Sequence, residues 1–221
     1  MAAPPHTGRT RIEDIRRIEI IEAAHRVFLV GGFNALTTTR ICKEAGMSQG
    51  ILTYYFKSKD EVLFEMVRHA NRHLMDEVVQ RLRQASTSWE RLAAIVEGIF
   101  PQAHYEPNIA NAWVSFYAAT AGNERYARLQ NLFYRRMRSN LASALGDTLS
   151  SPELDRFSLG FAAMVDGLWL GRGQNESLEA SEATQVLMEY AEKMLGADRV
   201  FALRNQPGQA HSSRTRRKSS P

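Results

Sequence analysis

The run from Thr37 to Leu63, TTTRICKEAGMSQGILTYYFKSKDEVL, restricts the fold of this chain more than any other stretch. Gly46 separates two short amphipathic segments, and its missing Cβ permits the positive φ of a tight turn. Before it, Ile41 and Ala45 lie one helical turn apart and face inward. After it, Met47 plugs the angle between the segments, Ser48 caps the second, and Ile51, Leu52 and Phe56 anchor that helix. This predicts two short helices crossing at a turn, over 38–45 and 48–55. Gln49, Gly50, Thr53 and Tyr54 are left on the outer face.

That outer face is polar, and Gly50 allows close approach of the helix backbone, which together suit base edges in a major groove. Thr38 caps the first short helix in this reading. With Thr39 beside it, it offers hydroxyls and free backbone N–H groups to a phosphate. Tyr55 and Lys59 follow, and Lys59 opens the next helix, where N–H groups also favour a phosphate. A plain helical corner inside a bundle would share the apolar pattern but leave the polar face idle.

The rest of the chain repeats one theme. Ile15, Ile18, Ile21, Val27 and Phe28 recur at helical spacing over 11–30, and Gly31-Gly32 ends that helix. Further helices are expected over 59–84, 86–100, 108–121, 124–145, 153–171 and 178–196, with a loop over 102–107. No alternating, β-branched run appears, so the expected fold is all-α with about nine helices. The most apolar stretch, Leu159 to Leu170, is interrupted by Asp166 and is far short of the roughly 20 residues that cross a bilayer. No membrane partner is therefore expected.

Charge is distributed unevenly. Among 221 residues the net charge is +4, but residues 1–60 carry +3, 61–198 carry −5 and 199–221 carry +6. Basic ends around an acidic middle suit ends that meet a polyanion. A basic, unordered solubilising end is the other reading of the tail. The single cysteine, Cys42, excludes an intrachain disulfide and fits a reducing cytoplasm. The first twenty residues mix acids with bases and do not read as a secretory leader.

Catalytic signatures are missing. Of six histidines, His6, His25, His69, His73, His104 and His211, only His69 and His73 form a helical pair, without a second ligand pair. There is no Gly-rich phosphate loop or nucleophile elbow. The expectation is a non-enzyme with no catalytic residue, metal or cofactor. Cys42 reads as a small buried residue, with a redox sensor as the alternative.

A ligand site is expected in the second half. Trp113, Phe116 and Tyr117 share a helix face, and Asp166 and Trp169 lie at i, i+3 on a helix otherwise apolar. A carboxylate there needs a partner, and aromatic faces around one acid suit a quaternary ammonium. Glu97 and Tyr105 are secondary members of the same set. Core packing of the aromatics, and pairing of Asp166 with an arginine, stay open as the alternative.

Thr38, Ile41, Ala45, Gly46, Ser48, Gly50, Tyr55, Phe56, Lys59 and Leu63 together resemble the DNA-binding signature of the TetR regulators. Cys42 and Met47 depart from it only in packing. The resemblance implies an N-terminal three-helix helix-turn-helix domain over 1–58, and a ligand-binding and dimerisation bundle over 59–198. The basic tail, 199–221, is expected to be disordered. It also implies a cytoplasmic, nucleoid-associated homodimer on a palindromic double-stranded operator, paired through helices 153–171 and 178–196. Leu159, Phe161, Met164, Val165 and Leu168, with Val186, Leu187, Tyr190 and Met194, serve that interface or the monomer core. Within the family, A-W-V-S-F-Y (112–117), R-L-Q (128–130), R-R-M-R-S-N-L (135–141) and D-G-L-W-L (166–170) are similar to the bet-type repressors. Those regulators respond to choline and control glycine betaine synthesis genes. The implied effector is a choline-like cation. A TetR-type repressor with another hydrophobic or cationic ligand, and a helical adaptor without DNA binding, are the alternatives.

Overall fold

The computed structural model describes residues 7–174 and 177–208, and among these the fold is all-α. The elements are α1 (Thr7–Gly31), a 3-10 turn (Phe33–Ala35), α2 (Thr38–Ala45), α3 (Gln49–Tyr55), α4 (Lys59–Gln84) and α5 (Ser88–Ile99). They continue with α6 (Pro107–Thr120), α7 (Glu124–Leu145), α8 (Ser151–Gln174), α9 (Ala180–Leu195) and α10 (Ala197–Asn205).

Local chemistry sets the ends. Gly46 adopts the left-handed conformation, φ 64° and ψ 31°, and turns the chain from α2 into α3. The cap of α2 is Thr37, whose hydroxyl accepts from the Arg40 N–H at 3.2 Å, so Thr38 is the first helical residue and not the cap. Ser48, Ser58 and Thr87 cap α3, α4 and α5 in the same way, and Glu90 completes a capping box with Thr87. Helix α8 runs beyond its expected limits at both ends. Pro152 is accommodated in the first turn of α8, where its missing N–H costs nothing. At its other end α8 passes through Gly171 and Gly173, because Gly173 packs against Asn111 and a Cβ there would stand 2.6 Å from Oδ1.

Two apolar cores meet along α4. The first joins Ile20, Phe28, Ile41, Leu52 and Phe56 to the opening turns of α4 through Val62, Leu63 and Met66. It continues into α6 and α7 through Phe116 and Tyr126, so α1–α3 are fused to the bundle by packing as well as by the chain. The second core joins the far half of α4 to α5, α7, α8, α9 and α10. Gly98 of α5 lets α4 come close, since a Cβ there would lie 2.7 Å from Val78 Cγ2 and 2.9 Å from Val78 Cα. Gly98→Ala is expected to destabilise the protein by about 1–3 kcal/mol through overpacking, read as a lower urea midpoint with unchanged m.

The segment after Gly196 departs from expectation. Its first part is not disordered: α10 buries Val200 and Leu203, and Arg199 and Arg204 pair with Glu153 and Glu192 at 2.8 and 2.7 Å. The Ser88 N–H then donates to Gln206 O, and the Gly208 N–H to Ser86 O, clipping the chain to the start of α5. Two of the six basic residues of the tail are thus spent on ion pairs within the chain. The other four, with the first residues of the N-terminal arm, lie outside the described residues.

Candidate functional site

The outward side of α3 is built as a short rigid projection. Phe56 is buried at its C-terminal end under the Arg17 guanidinium, which lies 4.2 Å above the ring and donates to Tyr55 O at 2.5 Å. Arg17 also bridges to Glu61 at 3.4 Å, and Glu61 accepts from the Lys57 N–H at 2.8 Å. That N–H first, and then Arg17, hold the Glu61 carboxyl below the usual range. The clasp fixes α3 against α1 and α4. Ser48, Gln49, Gly50, Thr53 and Tyr54 stay exposed, as do Thr39 and Lys59, while Thr38 and Tyr55 are half-buried. Ser48, Gly50, Tyr54 and Tyr55 border one surface, and Gln49 Nε2 donates to Thr39 Oγ1 at 3.4 Å. Tyr54 is the most prominent, 66% exposed with its ring edge-on to Tyr55 at 5.0 Å. The Thr53 hydroxyl instead donates back to Gln49 O and Gly50 O. Arg16, which the sequence reading did not select, borders the same surface beside Tyr54.

A cavity of about 430 Å³ lies between the two cores. Trp113 and Tyr117 of α6 and Trp169 of α8 line it, with Phe133 and Gln130 of α7. Leu29 and His25 of α1 close one side, and α4 forms a wall from Ala70 to Gln80 that includes Asp76 and Glu77. No lysine or arginine lines it among the described residues. His25 adds no positive charge at neutral pH, because burial, and then His69, His73 and His104, lower its pKa to about 4. The α1 and α4 walls had no signal in the sequence, since only the tertiary fold brings them to α6 and α8.

Asp166 sits behind this lining. Tyr134 donates to Oδ2 at 2.6 Å and Tyr117 also engages the carboxylate, while Oδ1 is buried without a hydrogen-bond partner. Burial raises its pKa, and the two hydroxyls oppose that rise. Among the described residues no arginine pairs with it. Trp169 is braced by Tyr105, 4.8 Å away, whose hydroxyl donates to Leu168 O at 2.7 Å. Buried Arg172 holds the Tyr105 and Leu178 carbonyls at 2.8 and 2.9 Å. Phe116 does not line the cavity. It is fully buried against Phe33 and Tyr126, on the side of α6 that meets the 3-10 turn and α7. Glu97 is exposed and pairs with Arg81 at 2.9 Å.

Trp113 links cavity and projection. Its ring stands edge-on to Phe28 of α1 at 5.5 Å, and the Phe33 N–H donates to Ser115 Oγ of α6 at 2.9 Å. Trp113, His25 and Leu29 thus join the cavity lining to α1, whose Arg17 clasps α3. Other candidates fall away. Cys42 is buried, which pushes its thiol up and leaves no poised thiolate. Among the described residues no group of three metal-binding side chains converges, and no helix is long and apolar enough to cross a membrane.

Comparison with known proteins agrees with this geometry. Residues 20–66 match the family model of bacterial regulatory proteins of the tetR family, and residues 88–196 match that of the BetI-type transcriptional repressor, C-terminal. The HTH-type transcriptional regulator BetI of Rhizobium meliloti is 32% identical over 178 residues, covering 80% of this chain and 88% of that protein. Its namesake in Vibrio parahaemolyticus is 31% identical over 185 residues, covering 82% and 93%. Among solved structures, a transcriptional regulator from Pseudomonas aeruginosa PAO1 superposes with TM-score 0.71 at 22% identity, covering 84% of this chain and 93% of that one. A transcriptional regulator from Saccharomonospora viridis in complex with choline has the same score and identity, with 81% and 96% covered. At that identity the two structures speak for the fold.

Proposed function

The chain belongs to the BetI-type transcriptional repressors of the TetR family, and from that premise we propose that choline or a close quaternary ammonium releases its dimer from a palindromic operator. It is a DNA-binding regulator and not an enzyme. The observation that carries the ligand reading is the cavity itself, walled by Trp113, Tyr117 and Trp169 and bordered by carboxylates, with no lysine or arginine among the described residues that line it. A desolvated cation over aromatic faces gains about 2 kcal/mol or more, and Asp166 behind Tyr117 supplies the compensating charge. The choline complex of the Saccharomonospora viridis neighbour supports the same ligand class.

In this reading Thr38, Thr39, Ser48, Gln49, Gly50, Thr53, Tyr54, Tyr55 and Lys59 meet DNA, one α3 per half-site. The dimer forms through the outer faces of α8 and α9. Leu159, Val186 and Met194 are exposed there, whereas Phe161, Val165 and Leu187 belong to the chain's own core. Glycine betaine synthesis genes are the regulated set.

The test is operator release, followed by fluorescence anisotropy on a duplex selected from a random pool. Choline and betaine aldehyde are expected to release it. Glycine betaine is expected to act weakly, because its carboxylate meets an acidic cavity. Calorimetry that finds no choline binding at millimolar concentration overturns the ligand reading.

A further inference from the structure

We infer that the cavity is built for an elongated cation with a second positive group beyond its alkylated ammonium head, an inference that rests on the quaternary-ammonium reading of the site. The first ground is length. The α4 wall runs from Ala70 to Gln80, and at about 1.5 Å per residue this is about 15 Å of helix, more than a choline-sized ligand spans. The second ground is the change of chemistry along the cavity. Its inner lining is aromatic, with Asp166 behind Tyr117 and a buried, unpartnered Gln130 Nε2. Its exposed rim carries Asp76 and Glu77, which form no ion pair with any described residue.

Those two carboxylates are out of place for a ligand that ends at one ammonium group. Carboxylates on an exposed helix face have solvent on all sides, whereas these border a concave, largely apolar volume in which a bound chain would be directed toward them. A head group held by the rings leaves the tail of a longer ligand along α4. A positive charge at that tail reaches Asp76 and Glu77 in partial solvent, where each pair strengthens binding about 1.4- to 5-fold. Two such pairs make a dication about two- to thirtyfold tighter than a monocation of equal length at low salt, and the advantage shrinks as salt screens the rim.

Three probes separate the ideas: choline, decamethonium, and decyltrimethylammonium, which keeps decamethonium's chain and one head but lacks the second charge. Their affinities are measured by calorimetry on the full chain at two salt concentrations. Decamethonium is expected to bind about two- to thirtyfold tighter than decyltrimethylammonium at low salt. The double variant Asp76→Asn/Glu77→Gln is expected to remove that ratio, lowering decamethonium affinity more than that of decyltrimethylammonium. Its substitutions are exposed and isosteric, so an unchanged melting curve certifies its fold. Equal binding of the two long probes, or a ratio that persists in the double variant, overturns the dication inference. Choline binding without any preference for decamethonium leaves the quaternary-ammonium reading standing alone, and no binding of any probe overturns both.

Discussion

Tyr54→Ala is expected to weaken operator binding about 5- to 150-fold in each half-site, with the melting temperature of the free protein unchanged. The residue is 66% exposed and its ring packs edge-on against Tyr55, so its removal opens no buried cavity. Alanine is also the better helix former at an exposed position. A contact to a base edge or phosphate is worth about 1–3 kcal/mol, and a twofold dimer loses it twice. Thr53→Ala is expected to cost less, because the Thr53 hydroxyl already donates to Gln49 O and Gly50 O and is not free for DNA. Anisotropy titrations on the selected operator and on an unrelated duplex give both numbers. The specific constant is expected to fall while the nonspecific constant and its salt slope hold. Wild-type affinity in Tyr54→Ala means that α3 is not the reading helix.

The helix-turn-helix was legible because its determinants are local. Gly46, Ser48, Ile41 and Leu52 act on one another within a dozen residues, and their roles can be argued without the rest of the fold. Even there the cap was displaced by one residue, since Thr37 and Thr38 carry the same hydroxyl and only the extended backbone of Thr37 decides between them. The lining of the cavity was half legible. Spacing places Trp113, Phe116 and Tyr117 on one face, but that face is wide enough to meet two environments. Trp113 and Tyr117 reach the cavity while Phe116 packs on Phe33 and Tyr126. Nothing in the local pattern assigns the two sides. Helix α10 was missed for a different reason. It buries only Val200 and Leu203 while Phe201 stays exposed, it leads into a stretch of Arg, Asn and Gln, and it is tied down by Glu153, Glu192 and the start of α5.

Asp166→Asn and Trp113→Leu are expected to impair the choline response in two distinguishable ways. Asparagine keeps the shape of Asp166 and a side-chain oxygen for the Tyr134 hydroxyl, now 2.6 Å from Oδ2, but removes the charge behind Tyr117. A cation in a dry aromatic site then lacks compensation, and choline affinity is expected to fall about 10- to 100-fold. The path to α3 is untouched, so saturating choline still releases the operator fully. Trp113 has two contacts to lose: the cavity face of its ring, and the edge that meets Phe28 of α1 at 5.5 Å. Leucine removes one wall of the cation site and also the element that couples it to the helix clasping Tyr55 and Phe56 through Arg17. Release is possible only to the extent that the ligand prefers the DNA-incompetent arrangement, with couplings of about 1–3 kcal/mol typical. Weakening the Trp113–Phe28 contact reduces that preference. Trp113→Leu is therefore expected to release only a fraction of the operator even at saturation, with basal operator affinity near wild type. Calorimetry reads affinity and anisotropy reads release, so the two defects are measured separately. Wild-type choline affinity in Asp166→Asn removes the carboxylate from the site, and complete release in saturated Trp113→Leu removes the α6–α1 contact from the coupling.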